Sequence, residues 1–441
     1  MPTKNYRGLV AVMAWMIALG AEAGPEIEHW TTDNGARVYF VEAPEIPILD
    51  VRFVFNAGSA RDGDKAGLAQ LTSQLLTEGA GDFDANEFND RIADTGAEFS
   101  SGALRDMAWV SLRTLSDPHY RDPALGLMRK VLARPRFDAD AVIRRKANAL
   151  VHIKREEQSP SAIASKVFYK AVYRDHPYAS PLPGTESSVD ALSRDDIVAF
   201  HQRYYVARNA AIAIVGAISR EAATAIAEQL STDMASGEAA PTLSPVTQLD
   251  SAANEHVEFP SIQSHVRIGQ PGLKRGDPDY FPLLVGNHVL GGGGLVSILF
   301  DEVREKRGLS YSVNSRFSPM AELGPFTASL QTDNSQEAEA IAVLRDELGK
   351  FIADGPTPTA LEAAKQNLIG GFPLRVDSNS KIVEYLSMIG FYGLPLDYLN
   401  TFTDNVASVT VEAVKSAFQR RLNPEKMITV VVGRGDVKAG G

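Results

Sequence analysis

The sequence predicts an α+β chain built from two similar halves, each mixing helices with antiparallel sheet. Three observations carry that expectation. First, residues 189–219, "VDALSRDDIVAFHQRYYVARNAAIAIVGAIS", are echoed by residues 406–436, "VASVTVEAVKSAFQRRLNPEKMITVVVGRGD". Each has a Ser or Thr cap, an amphipathic helix, a basic turn and an apolar strand ending in Val-Gly. Second, "FDADAVIRRKANALVHIK" parallels "PTPTALEAAKQNLIGGFP", both a cap followed by a helix pattern. The repeat is far longer than a solenoid period, so it implies a duplicated domain. Third, strands and helices come in runs and not in strict β-α-β alternation, which favours α+β with antiparallel sheet.

The elements follow in order. "MPTKNYRGLVAVMAWMIALGAEAGPE" carries Lys4 and Arg7, an apolar run from Leu9 to Leu19, then Ala21-Glu22-Ala23. That is the pattern of a secretory signal peptide over 1–23. The run is shorter than the ~20 residues a spanning helix needs. An uncleaved anchor is the alternative. "ILDVRFVFNAGS" alternates Val51, Phe53 and Phe55 on one face, the period of a half-buried strand. A helix is expected over 83–95, with Phe88 above Ile92, and "AWVSLRTL" alternates again. Residues 233–253, rich in Ser, Pro, Ala and Thr without apolar period, read as a linker. It separates a domain at 24–232 from one at 254–435, with a tail at 436–441.

Composition narrows the function. The chain has 441 residues, enough for several cores. Its net charge of -11 repels phosphate backbones and argues against nucleic acid. The absence of cysteine excludes disulfides, thiolate metal sites and a cysteine nucleophile. A cysteine-free exported chain suits the bacterial periplasm.

"GLAQLTSQLLTEGA" has the frame of a metal-binding helix with the ligands replaced. Histidines at Gln70 and Gln74, with Glu at Ser73, would make His-x-x-Glu-His, two imidazoles one turn apart beside a carboxylate. An amide is a weak zinc ligand, and a serine hydroxyl is no base near neutral pH. His152 with Glu156 or Glu157 is a second conceivable site, against the plainer reading of exposed helix charges. His176, in the proline-rich turn "RDHPYASPLPGTE", reads as structural. The run Gly291, Gly292, Gly293 and Gly294 precedes a helix pattern, "LVSILFDEVREK". It lacks the Gly-Lys-Ser/Thr ending of a phosphate loop and reads as a flexible loop or a plain turn.

Three segments, "NAGSARDGDKAGLAQLTSQLLTEGA", "YRDHPYASPLPGTESSVDALSRDDIVAFHQRYY" and "VLGGGGLVSILFDEVREKRGLSYSV", together resemble the M16 peptidases, the family of pitrilysin, insulin-degrading enzyme and the mitochondrial processing peptidase. The resemblance runs from Glu26 to Gly433. It implies two homologous α+β halves, each split again, forming half of a clamshell. In active members the first half holds zinc through two His and a later Glu, with a Glu base. Here those positions fall on Gln70, Gln74, the region of Val151 and His152, and Ser73, so no zinc is expected in this chain. The second half keeps Arg307 and Tyr311, at the positions of an Arg/Tyr pair that reaches substrate in active members. As plain structure, Arg307 would end a helix with Gly308 as its cap. The glycine run matches a loop that contacts peptide backbone. The resemblance thus implies a zinc-free subunit that binds peptide and lends Arg307 and Tyr311 to a homologous partner bearing His-x-x-Glu-His and its zinc. The other readings are a structural homologue, comparable to the core subunits of the respiratory bc1 complex, and a non-catalytic peptide-binding homodimer.

Overall fold

In the computed structural model residues 25–434 are described, and the leader read at 1–23 and the tail at 436–441 lie outside them. Three strands come first, β1 (Glu28–Thr31), β2 (Arg37–Glu42) and β3 (Ile48–Phe55), then α1 (Leu68–Leu75) and α2 (Ala85–Thr95). A hairpin follows, β4 (Glu98–Ala103) and β5 (Ala108–Leu115). The helices α3 (Pro118–Ala133), α4 (Ala139–Glu156), α5 (Pro160–Tyr173), α6 (Glu186–Ala191) and α7 (Arg194–Tyr204) lead to β6 (Ala210–Gly216) and α8 (Arg220–Ser231). The second half runs β7 (Ala253–Glu258), β8 (Gln263–Leu273), α9 (Tyr280–Asn287), β9 (Ser312–Phe317) and β10 (Gly324–Asp333). It continues through α10 (Glu337–Asp354), α11 (Pro358–Gly370), α12 (Asn379–Tyr392), α13 (Tyr398–Ala407) and α14 (Val411–Arg421) to β11 (Ile428–Gly433).

Local chemistry sets the helix starts. Asp84 accepts from the backbone N–H of Asn86 and Glu87 ahead of α2, and Glu87 returns a bond to the Asp84 N–H. Ser193 caps α7, and Thr410 caps α14.

The repeat is visible in the sheets. The first has the order β1-β2-β6-β3-β5-β4 and the second β7-β11-β8-β10-β9. With β1 set aside, the two orders correspond strand for strand, and five helices follow each hairpin before a closing strand enters the middle of the sheet. The duplication lies at the level of the halves. The further split of each half implied by the resemblance is not seen among the described residues, where each half holds one sheet. The sheets are mainly antiparallel, but β2 pairs β6 and β7 pairs β11 in parallel.

The halves exchange helices. Helix α12 of the second half packs on β3 and β6 of the first, while α5 of the first packs on β8 and β11 of the second. Phe168 of α5 is fully buried against that second sheet, a burial that contributes roughly 2–3 kcal/mol. Two glycines permit the close approach. A Cβ on Gly390 would stand 2.6 Å from the Tyr39 ring, and one on Gly269 would stand 2.9 Å from Phe168. This exchange corrects the reading of β3 as half-buried. Its second face, with Asp50 and Val54, is also buried because α12 covers it. Arg52 on that face pairs with Glu384 of α12 at 3.6 Å. Burial pushes the Asp50 carboxyl up to about 6, partly offset by Arg113.

Residues between α8 and β7 form no helix or strand, yet they are docked. Val246 and Leu249 are buried in a cluster with Phe168, Val430 and Val432, and the Ala240 N–H donates to Asn209 Oδ1 at 2.9 Å.

Candidate functional site

Helix α1 begins where Asp62 accepts from the N–H groups of Gly67 and Ala69, both at 2.8 Å. Gly67 enters the helix at φ 94, where a side chain would also press on the Pro183 carbonyl. The Asp62 carboxyl is so enclosed that burial raises it to about 7 despite those two bonds. From this fixed start, Gln70 and Gln74 fall one turn apart on a face that opens into a pocket of about 250 Å³. The opposite wall is α4, which contributes Arg145, Asn148, Ala149 and His152 at helical spacing.

The structure therefore brings Gln70, Gln74 and His152 together and leaves Ser73 and Val151 out. Val151 is 51% exposed, away from the pocket. Ser73 is fully buried, and its hydroxyl donates to the Gln70 carbonyl at 2.8 Å in its own helix. The side-chain amides of Gln70 and Gln74 face the pocket and make no hydrogen bond within the described residues. Sequence reasoning missed Arg145 and Asn148. The signal was their spacing, since positions 145, 148, 149 and 152 share one face of α4.

These residues do not fit zinc. The pocket offers one imidazole and three neutral amides, with no carboxylate lining it. It also holds a guanidinium, anchored by Arg145 Nε and Nη2 on Glu78 Oε1 at 2.9 and 2.5 Å, which disfavours a cation. His152 lies 3.9 Å from Glu156, the pair considered from sequence. No group of three or more His, Asp or Glu among the described residues is arranged to hold a metal ion.

The second-half residues lie elsewhere. All residues lining the pocket fall between Gly67 and Val189, so Arg307 and Tyr311 are not among them. The helix expected after the glycine run is irregular: a 3-10 turn at Gly294–Val296, then a wide π turn at Phe300–Glu305. Gly291 is buried, and a Cβ there would meet the Ser315 backbone N at 2.6 Å. Gly294 has φ 62 and open space around it. Gly308 has φ 64 and closes the π turn through its N–H to the Arg304 carbonyl. Arg307 folds back, donating to the carbonyl and the carboxylate of Glu302 at 2.7 and 2.6 Å. Tyr311 is 79% exposed, its ring under Arg304 at 4.6 Å and its hydroxyl without a partner among the described residues. Leu295 and Val296, on the same segment, are 73% and 79% exposed. His176 holds the Ser244 carbonyl through Nε2 at 2.9 Å and accepts from the Tyr178 N–H through Nδ1, and burial lowers its pKa.

Residues 37–186 match the family model described as insulinase, peptidase family M16, and residues 191–368 match that of the peptidase M16 inactive domain. A solved peptidase M16 inactive domain from Pseudomonas fluorescens is 39% identical, with a TM-score of 0.90 over 93% of this chain and 98% of its own. A non-peptidase homologue from Helicobacter pylori is 24% identical over 90% of this chain and 92% of its own. An uncharacterized zinc protease of Bacillus subtilis is 24% identical over 81% of this chain and 86% of its own. No helix among the described residues is long and apolar enough to cross a membrane.

Proposed function

The chain belongs to the M16 peptidase family as an inactive-domain homologue, and we propose that it is the zinc-free subunit of a heterodimeric peptidase. It binds peptide beside the glycine loop at 291–294 and presents Arg307 and Tyr311 to the active site of a homologous subunit that carries His-x-x-Glu-His. The proposed setting is the periplasm, reached through the leader at 1–23. The observation that carries this reading is Tyr311: an exposed phenol whose hydroxyl is unengaged and which takes no part in this chain's own pocket. A phenol O–H is a donor at neutral pH and can hold the oxyanion that forms when an amide carbonyl is attacked. Arg307 keeps free N–H groups for a substrate carbonyl after binding Glu302.

The test is cleavage of a quenched fluorescent peptide by a reconstituted pair of subunits, with gel filtration to confirm assembly. Tyr311→Phe removes one donor and should lower kcat by about 10²–10³ with little change in KM. An intact complex that keeps its kcat after Tyr311→Phe refutes the divided site. The non-catalytic reading, favoured by the Helicobacter pylori homologue's description, would then take its place.

A further inference from the structure

A hollow of about 690 Å³ lies where the two halves meet, between the α4–α5 turn, the loop at 181–184 and strand β8. A smaller one of about 190 Å³ adjoins it over β8, β9 and β10, and the two share Ser161 and Arg267. The larger has the size of a ligand site. Its walls are largely apolar, with Ile153, Ile163, Val167 and Leu182 among them.

The charged groups there are unusual for so acidic a chain. Arg105, Arg267 and Arg316 line the joined hollow, and none forms an ion pair among the described residues. Arg105 stacks on Tyr169 at 3.5 Å and donates only Nε, to the Tyr178 carbonyl. The Arg267 side chain makes no hydrogen bond among the described residues, and its Nε is buried without a partner. Burial lowers the pKa of Arg105 and Arg267, and Arg316 lowers that of Arg267 further by repulsion. Lys166 and His265 also face the space, and the acids there are Glu156, which leans to His152 at 3.9 Å, and exposed Glu157. Arg316 is exposed, but the Arg267 Nε is enclosed beside it without an acceptor, a cost that a bound anion would relieve. Unsatisfied buried donors cost stability.

We infer that this hollow is a subsite for a peptide carboxylate, with the guanidiniums of Arg105, Arg267 and Arg316 gripping the anion and the apolar wall receiving the neighbouring side chain. The inference rests on the peptide-binding reading above and gives it a substrate class: peptides with an acidic residue or a free C-terminus beside an apolar one. A planar carboxylate matches the guanidinium fork.

The experiment uses the whole mature chain without a partner, so its outcome is independent of the kcat test of the divided site. Fluorescent apolar octapeptides are titrated in four forms: free C-terminus, amidated C-terminus, amidated with an internal Glu, and amidated with an internal Lys. Preference for the first assigns the terminal carboxylate, and preference for the third assigns the side chain. Either should weaken about tenfold or more in Arg267→Met and in Arg316→Ser, and weaken with added salt. Arg267→Met should meanwhile leave the free chain at least as thermally stable as the parent, because it removes an unpaired donor. Equal binding of all four peptides, or carboxylate binding unchanged in both variants, overturns the inference.

Discussion

Asp106 and Tyr392 come from opposite halves of the chain and meet at 2.9 Å. The other oxygen of the Asp106 carboxylate accepts from Tyr178 at 2.5 Å, and the Ala321 N–H donates to the first at 2.8 Å. Tyr178 in turn accepts from the Glu322 N–H at 3.0 Å. One buried acid in the β4–β5 turn thus ties the hairpin, the loop after α5, the β9–β10 turn and α12. Burial and the acid together hold both phenols well above their usual pKa.

Removing the acid should cost far more than removing either phenol. Asp106→Ala leaves two buried hydroxyls and an N–H without their acceptor, an expected loss of about 3–5 kcal/mol. Tyr392→Phe removes one bond to a charged group and should cost about 1.5–3 kcal/mol. Tyr178→Phe and Tyr392→Phe should combine non-additively, since they share one acceptor. Urea unfolding of the parent and these variants, with the double variant included, measures this. Costs that simply add would mean the two phenols act separately.

The exchanged helix makes a second, local forecast. Gly390→Ala gains helix propensity but drives a Cβ to 2.6 Å from the Tyr39 ring. The net expectation is a loss of about 1–2 kcal/mol. Gly349→Ala is the control, since it lies in α10 with nothing within 4 Å of the added atom. It should gain up to about 1 kcal/mol. A stabilised Gly390→Ala would show that α12 sits more loosely on the first sheet than its packing implies.

His201 sets a pH dependence. It is buried in α7 between Tyr205 and Phe137, with Nε2 3.2 Å from the Leu132 carbonyl, and burial lowers its pKa to about 4. Unfolded, it titrates near 6.5. Between those values the unfolded chain binds a proton that the folded chain refuses. Its contribution is therefore fully present above pH 6.5 and is lost as pH falls toward 4, by about 3 kcal/mol in all. His201→Phe should flatten that branch of the stability profile relative to the parent. Identical slopes for parent and variant between pH 6.5 and 4 would show that the ring titrates normally.

Sequence pattern reached the repeat, the capped helices and the strand at β5 because those are set locally, by caps and by apolar period. It could not reach the burial of Asp50 and Arg52. Their alternation with Val51 and Phe53 is that of a solvent-facing row, and only the arrival of α12 from more than three hundred residues away encloses them. The candidate site divides in the same way. Gln70 and Gln74 stand out because a motif frame surrounds them. Arg145 and Asn148 look like ordinary helix residues until α4 is laid against α1. The unpaired arginines of the hollow were equally illegible, because a missing partner is a property of the assembled fold.

The same pocket geometry forecasts how zinc could be built back. The parent chain should hold no stoichiometric zinc after dialysis against a weak chelator, since the pocket offers one imidazole, three amides and a guanidinium. Gln70→His with Gln74→His places two imidazoles one turn apart on the face that meets His152. That variant should bind zinc weakly, and His152→Ala should abolish the binding. Adding Asn148→Glu supplies a carboxylate from the same wall and should tighten it more than about tenfold. Adding Val151→Glu should not, because that side chain is exposed on another face. Peptidase activity should stay absent in all of them. Ser73 is fully buried and bonded to its own turn, so no base faces the metal, and the groups that would orient the new ligands were never built. Competition with a chromophoric chelator reads the affinities and a fluorogenic peptide reads activity. Tight binding that ignores His152, or tightening by Val151→Glu, would show that α4 presents a different face to α1.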